Sequence, residues 1–425
     1  MPAAEAKQAK LITPILLAGS AVLLMGFAIR ATFGLFQIPI ADEFNWPRAE
    51  FSMAIAIQNL AWGFGQPIFA AIAEKYGDRF AIVLGAAMYA VGLAVSSLAV
   101  TPEAHYLLQI FVGFGIAGTG FGVILAVVGR AASDEHRSMA LGITTSAGSA
   151  GQIVGPPIAA TLLQVMDWQM VFIVFAIAIL AVLVVLPVLR PSKEAAEAIR
   201  ASRARGDGEA MGVVLARAMR DPSYILIFIG FFSCGYQLAF VTAHFPAFIE
   251  EVCASIPPNS LIKKLGVDST KDLGGYAIAV IGMANIVGTL LAGWLGKTYS
   301  KKYLLAAIYV GRTAIAAWFI MTPMTFQSVL IFSTLMGSLW LATVPLTSGL
   351  VAQIFGLKYM GTLYGIVFLS HQLGSFLGVW LGGYMYDLYG SYDAVWWVGV
   401  GVGALSALVH LPINEKARGL QPIPA

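Results

Sequence analysis

Charged residues are scarce in this sequence: Asp, Glu, Lys and Arg make up 11% of its 425 residues, whereas hydrophobic residues make up 59%. An ordinary soluble domain carries about 25% charged residues, so this chain cannot cover a water-facing surface. Its formal net charge of +3 is too small to indicate a nucleic-acid partner. These deficits predict a membrane protein whose surroundings are the lipid bilayer.

Cysteine is nearly absent, since only Cys234 and Cys253 occur. Their spacing fits no metal site, and Cys234 lies in an apolar run where a disulfide is not expected. The sequence also lacks a phosphate-binding P-loop, a Gly-x-Ser-x-Gly elbow and a cluster of His, Cys and acidic residues. We therefore expect no enzyme, no catalytic residue, no cofactor and no metal, and we do not expect a self-contained ATP-driven pump.

Apolar segments long enough to cross a bilayer recur along the whole chain. They predict an all-α membrane protein with twelve transmembrane helices, at about 11–40, 49–73, 80–101, 104–131, 138–165, 168–190, 221–250, 272–297, 302–322, 326–353, 359–387 and 391–413. The first segment is too long for a signal peptide and lacks a clear cleavage site, so we expect it to be retained. A charged linker, residues 191–220, separates two six-helix bundles, 1–190 and 221–425.

The loops carry an uneven distribution of positive charge. One side of the predicted membrane receives nineteen Lys and Arg residues and the other receives four. The positive-inside rule then places both termini in the cytoplasm. We expect a multi-pass protein of a bacterial-type cell inner membrane.

The two halves repeat one another in sequence. A shift of 223 residues places Gly151 on Gly374 and Gly155 on Gly378, and in the first helices a shift of 207 places Arg30 on Gln237. Duplicated six-helix halves are typical of transporters that hold a central site between two moving bundles. The repeat predicts two pseudo-symmetric bundles.

Several stretches resemble the major facilitator superfamily, and the resemblance covers almost the whole chain. The segment GQPIFAAIAEKYGDRF is similar to the G-x-x-x-D-R signature of that superfamily, with Gly77, Asp78 and Arg79 in place, and GSAGQIVGPP resembles its fifth-helix motif. The resemblance implies that Gly77, Asp78 and Arg79 form a conformational latch between the bundles. Within the superfamily, FGLFQIPIADEFNWPRAEFS is similar to the monocarboxylate transporter and oxalate–formate antiporter group.

Arg30 is the most specific candidate for a substrate-binding residue. It is the one charge in the first apolar stretch, roughly 24 Å beyond Pro14 and roughly 14 Å before Pro39 by helical rise. A charge at that depth normally faces a cavity or a partner, and a guanidinium matches a carboxylate. The alternative is that Arg30 pairs with backbone carbonyls.

His371 lies about twelve residues into the eleventh predicted helix, hence roughly 18 Å deep. The resemblance aligns it with a lysine of the oxalate–formate antiporters. A histidine there can carry a proton or donate to an anion, although a satisfied neutral histidine would serve helix packing instead.

The remaining candidates for substrate binding are polar residues at similar depth. Gln58 and Asn59 lie on the second helix at the level of Arg30, and Tyr236 and Gln237 lie on the seventh helix, which is related to the first by the repeat. Arg312 lies midway along the ninth helix, where it either lines the cavity or braces carbonyls. Each of the five also has a purely structural interpretation.

These features predict a secondary transporter for a small organic anion, with a monocarboxylate favoured and proton symport preferred because His371 titrates. Three alternatives stay open. One is an anion exchanger of the oxalate–formate type, another is an efflux carrier for a larger amphipathic compound, and the third is a non-transporting receptor on the same fold.

Overall fold

The computed structural model describes residues 10–46, 48–189, 209–264, 267 and 269–417, which form helices joined by short turns, without a strand among them. In the first half the helices are α1 (Pro14–Arg30), α2 (Gln37–Phe44), α3 (Arg48–Tyr76), α4 (Asp78–Ser96), α5 (Pro102–Thr119), α6 (Phe121–Ala131), α7 (Arg137–Leu163) and α8 (Trp168–Leu180). A short α9 (Met211–Ala218) precedes the second half. There the helices are α10 (Pro222–Val252), α11 (Leu261–Lys264), α12 (Thr270–Thr298), α13 (Lys301–Met321), α14 (Phe326–Ser338), α15 (Thr343–Phe355), α16 (Met360–Tyr389) and α17 (Asp393–His410).

Twelve of these segments are long enough to cross a membrane. Within the described residues, ten combine the necessary length and hydropathy, and α5–α6 and α14–α15 each count as one crossing. The other two are α3 and α7, which at 29 and 27 residues are long enough but more polar. The predicted all-α fold with twelve transmembrane helices is confirmed. Residues 191–208 of the predicted linker, 191–220, lie outside the described residues.

Helix starts follow ordinary capping chemistry. Thr13, Thr101 and Asp221 each precede a proline, and the side chain of each accepts a hydrogen bond from a backbone N–H in the first helical turn. At α12 a reciprocal pair, Ser269 and Asp272, forms a capping box. These local signals explain why the predicted boundaries agree with the structure to within a few residues.

The chain passes through the bundle so that one face gathers most of the positive charge. We call it the basic face; α3, α6 and α12 end there, and α4, α7, α13 and α16 begin there. The opposite face carries the turns at 97–101, 164–167 and 322–325. Distances from the basic face along these helices give the depth of each side chain.

Glycines let helices approach closely, in the same way in both halves. A Cβ on Gly155 in α7 would lie 2.0 Å from the carbonyl oxygen of Ala28 in α1. A Cβ on Gly378 in α16 would lie 2.3 Å from the carbonyl oxygen of Tyr236 in α10. The repeat seen in the sequence is therefore a repeat of helix packing, because small residues allow backbones to touch inside a membrane.

The register of that repeat differs by one residue from the sequence alignment of the first helices. Gly155 and Gly378 are related by a shift of 223, but their partners Ala28 and Tyr236 are related by 208 instead of 207. By packing, Arg30 therefore corresponds to Leu238. The sequence alignment with a shift of 207 matches residues of the same type in the two helices. The shift of 208 matches the residues whose backbones contact the glycines.

We expect Gly155→Ala to destabilise the protein, because the added methyl cannot avoid the Ala28 carbonyl; overpacking of this kind costs about 1–3 kcal/mol. Thermal unfolding of the detergent-purified protein should show a lower midpoint. The matched control is Gly401→Ala in α17, where no atom lies within 4 Å of the new Cβ. Equal midpoints for the two variants would contradict this packing.

Candidate functional site

Arg30 ends α1 at a partly exposed position between the halves. Its Nη2 donates to the Oδ1 of Asn59 on α3 at 2.8 Å, and its guanidinium carbon lies 4.7 Å from the ring centre of Trp62. Its Nε has no hydrogen-bond partner, and no carboxylate of a described residue forms an ion pair with it. Asn59 uses only one of five guanidinium N–H donors, so most of the donor capacity is free for a guest.

The Arg30–Asn59 pair is connected to the second half through Gln372. The side-chain amide of Gln372, on α16, donates to the carbonyl oxygen of Asn59 at 3.0 Å, and its Oε1 lies 3.0 Å from Nδ1 of His371. The His371 ring stacks on Phe368 with centroids 5.1 Å apart, and its Nε2 has no hydrogen-bond partner. Three predicted residues, Arg30, Asn59 and His371, thus belong to one polar network.

Gln372 is a member of this network that sequence reasoning missed. Adjacent helical residues project about 100° apart, so helical spacing alone does not place Gln372 beside His371. Its long side chain instead folds back to the His371 ring and reaches across to α3. The only available signal was that a polar pair occurs deep in an apolar helix.

The other predicted polar residues contact only their own half. Gln58 donates to Oε1 of Gln109 at 2.7 Å, within the first half. Tyr236 and Gln237 donate to backbone carbonyls of α17, at 3.2 and 2.9 Å. Arg312 is fully buried inside the second half. The predicted substrate contacts of these four residues stay predictions.

The predicted latch residues occupy the turn between α3 and α4. Gly77 has a φ of 108°, a conformation that favours glycine, and so allows the tight turn. Asp78 forms an ion pair with Arg130 on α6 at 2.5 Å, and Arg79 is partly buried with an unpaired Nε. The Asp78–Arg130 ion pair lies within the first half, and a latch role for this turn stays a prediction.

A different carboxylate of the same stretch contacts the second half. Glu74 accepts hydrogen bonds from the backbone N–H of Thr362, at 3.1 Å, and from its hydroxyl. Thr362 lies in the first turn of α16, where free N–H groups favour an anion. The sequence analysis did not identify Glu74, because the G-x-x-x-D-R signature includes Asp78 but not Glu74.

The helices α7 and α12 form a second contact between the halves. Asn285 donates to Ser149 Oγ at 2.8 Å, and at the basic face Lys297 pairs with Glu135 at 2.8 Å. The Lys297 ammonium lowers the pKa of the exposed Glu135 carboxyl. The Lys297–Glu135 and Glu74–Thr362 contacts lie at the basic face, and Asn285–Ser149 and Gln372–Asn59 lie deeper in the bundle, so the halves are in contact from the basic face inward.

Comparisons with known proteins match this architecture. The profile of the Major Facilitator Superfamily matches residues 18–254 and 252–423. YcxA of Bacillus subtilis, an MFS-type transporter, is 25% identical over 407 residues, covering 92% of this chain and 93% of its own. Monocarboxylate transporter 12 of Xenopus laevis is 22% identical over 388 residues (86% and 81%), and monocarboxylate transporter 13 of Bos taurus is 22% identical over 393 (90% and 86%).

Two solved structures have the same fold. The proton:xylose symporter XylE superposes with a TM-score of 0.72 at 16% identity, over 95% of this chain and 97% of its own. The fucose:proton symporter FucP of E. coli superposes with a TM-score of 0.63 at 14% identity, over 94% and 98%. The similar proteins are transporters rather than enzymes.

We expect Glu74→Gln to loosen the closure at the basic face, because an amide cannot accept both Thr362 hydrogen bonds as well as a carboxylate does. Leaving buried donors unpaired costs about 1–3 kcal/mol. The measurement is the rate of maleimide labelling of a cysteine placed at Ser146, which contacts α12, in a background lacking Cys234 and Cys253. Labelling should be several-fold faster in Glu74→Gln.

The control for this measurement is Glu135→Gln, which removes a solvent-exposed ion pair between the same halves. Exposed ion pairs contribute about 0–1 kcal/mol, so its labelling rate should stay near that of the parent. If the two variants label equally fast, Glu74 has no special part in the closure.

Proposed function

Because this chain belongs to the Major Facilitator Superfamily and acts on a small solute, we propose that its substrate is a small organic anion, a monocarboxylate first of all, carried with a proton by alternating access. The observation that carries the proposal is the Arg30 guanidinium: partly exposed between the halves, bonded to one amide and without a carboxylate partner among the described residues.

The charge and geometry of the Arg30 environment favour an anionic guest. A guanidinium offers paired, planar N–H donors that fit both oxygens of a carboxylate, and it stays charged at any working pH. Asn59 fixes one side of the group, and the Trp62 ring covers one face at 4.7 Å. A carboxylate on the remaining donors would neutralise a charge that is expensive at this depth.

Transport requires that this bound anion become accessible from each side in turn. In our proposal the bundles 1–190 and 221–425 rock about Arg30 and His371, with the linker 191–220 joining them. The contacts that run inward from the basic face, among them Glu74–Thr362 and Asn285–Ser149, block one exit. Breaking those contacts would open it.

Proton coupling is assigned to His371. It lies two hydrogen bonds from the Arg30–Asn59 pair through Gln372, and an imidazole changes charge near neutral pH. A proton on this ring would add positive charge beside the anion and so raise its affinity. We also propose a bacterial-type inner membrane with both termini in the cytoplasm, since the sequence assigns nineteen loop cations to one side of the predicted membrane and four to the other.

The names of the relatives support the substrate class only at family level. Two of them are monocarboxylate transporters, while the solved structures of similar fold are proton symporters for sugars. A neutral sugar gains little from an unneutralised arginine, whereas a carboxylate gains a charged hydrogen-bond pair. The arginine therefore favours an anion over a neutral sugar as the proposed substrate class.

We expect Arg30→Ala to lower uptake of labelled lactate or pyruvate into proteoliposomes about 10- to 100-fold, since charged hydrogen bonds contribute about 1.5–3 kcal/mol. Arg30→Lys should retain part of the uptake with a raised KM, because it keeps the charge but loses the planar fork. The matched control is Arg220→Ala on the exposed segment before α10. Unchanged uptake in Arg30→Ala would remove Arg30 from the binding site.

We expect His371→Gln to lose the acceleration of uptake by an acidic exterior while retaining exchange against internal substrate, because glutamine keeps hydrogen bonding but cannot titrate. His136→Gln, at the basic face, is the control and should respond like the parent. If the parent ignores the pH gradient but is accelerated by internal preloading, the protein is an exchanger and the symport proposal fails. Saturable uptake of larger amphipathic compounds without uptake of short acids would favour the efflux carrier.

A further inference from the structure

Arg312 presents a problem that the proposed transport site does not solve. It lies on α13, eleven residues and roughly 16 Å from the start of that helix at the basic face. Its side chain is completely buried, and Nε, Nη1 and Nη2 all lack a hydrogen-bond partner. The nearest recorded contact of the guanidinium is the ring of Tyr309, with its centre 5.9 Å away. No ion pair with a described residue neutralises it.

Further unpaired polar atoms surround the same place. The hydroxyls of Tyr309 and Tyr364 and the Nε2 of His371 are buried and make no hydrogen bond of ordinary geometry, although Tyr309 lies beside Thr343 and His371 beside Cys234. These three side chains and Arg312 all lie close enough to Cys234 to interact with it electrostatically. Buried groups of this kind are rare in native proteins and call for a bound species.

A break in the tenth membrane crossing adds a helix N-terminus to this cluster. The crossing is interrupted between α14 and α15, and α15 begins at Thr343 without a side-chain cap. The hydroxyl of Thr343 lies 3.3 Å from the sulfur of Cys234. The N–H of Val344 already donates to the carbonyl of Leu341 and Pro345 has no N–H, so this helix start contributes a partial positive charge rather than a set of free donors.

The cluster is therefore rich in donors and positively charged. Arginine donates only, and the tyrosine hydroxyls and the imidazole can each donate as well. Water would satisfy some of these donors but would leave the charge uncompensated in an apolar interior, where an unpaired ion is strongly disfavoured. An acceptor that carries negative charge meets both needs.

Cys234 would fill that role only as a thiolate. Its sulfur lies 3.9 Å from the carbonyl oxygen of Trp340 and 3.3 Å from the hydroxyl of Thr343, and a neutral thiol can donate to either oxygen. In our proposal Cys234 is this neutral thiol and a separate anion compensates Arg312.

We propose that the second half holds a small inorganic anion, of the class of chloride, on Arg312, with the Tyr309 and Tyr364 hydroxyls and the N-terminus of α15 around it. The small size follows from the complete burial of Arg312 and of the side chains around it. In our proposal Arg30 remains the site for the transported anion. The proposal does not depend on the identity of that substrate.

The test is the thermal stability of the purified full-length protein in sodium chloride against sodium gluconate at equal ionic strength and pH. Chloride and bromide should raise the unfolding midpoint by several degrees in a saturable manner, whereas gluconate, which is too large, should not. Arg312→Met, which keeps the length of the side chain without its charge, should abolish this response. Arg30→Met should retain it, and that result separates this site from the transport site.

A second measurement needs no variant. Crystals grown in sodium bromide should show an anomalous peak within hydrogen-bond distance of the Arg312 guanidinium. A bromide map without that peak, or a chloride response that persists in Arg312→Met, overturns the proposal. A chloride response that is absent from the parent and arises only in Cys234→Ala also overturns it, because the thiolate would then be the native counter-charge.

Discussion

The structure depends on positive charge placed at membrane depth without a carboxylate partner among the described residues. Arg30 and Arg312 both lie within membrane-crossing helices, and neither forms an ion pair with a described residue. In a bilayer such a charge persists only if something compensates it. The two arginines differ in what surrounds them: Arg30 is partly exposed between the halves, and Arg312 is enclosed within one half.

The packing of the halves explains how one arginine is placed between them. Helices within a half are held at backbone contact by glycines such as Gly155 and Gly378, so each half is a stiff unit. Glycines also bring the halves close to each other, with Gly142 against Gly293 and Gly365 against Pro67, and Glu74, Asn285 and Gln372 add hydrogen bonds across the same interface. Arg30 therefore lies beside an extensive interface, part of which must separate before a rocking motion can expose it.

Most of the fold was predictable because hydropathy and capping are local. The second helix was predicted at 49–73 and is found at 48–76, and the prolines and threonines that start helices act within one turn. The interruptions at Gly120 and at 339–342 were not predicted, since the apolar runs continue through them. Tertiary contacts make those breaks; Leu341 N–H, for example, donates to the Asn285 side chain on α12.

The sequence predicted how deep each site residue lies in the membrane, but not which neighbouring helix its side chain faces. Gln58 and Asn59 are neighbours at one level, yet Gln58 faces Gln109 within its half and Asn59 faces Arg30. Without knowing which face of α3 meets α1, the sequence cannot choose between them. Helical spacing does not indicate that Gln372 belongs to the site, because adjacent helical positions point in different directions. Its long side chain nevertheless folds back to the His371 ring. Depth follows from counting residues, whereas direction follows from helix packing that only the folded chain defines.

The difference in exposure between the two arginines also limits what each can do. A guest on Arg30 lies where the contact between halves ends, so a rocking motion can uncover it without disturbing either half. A guest on Arg312 is surrounded by α10, α13, α15 and α16, and its release would require those helices of one half to separate. In our proposals Arg30 therefore contacts the transported substrate, whereas an anion on Arg312 stays inside the second half throughout the transport cycle.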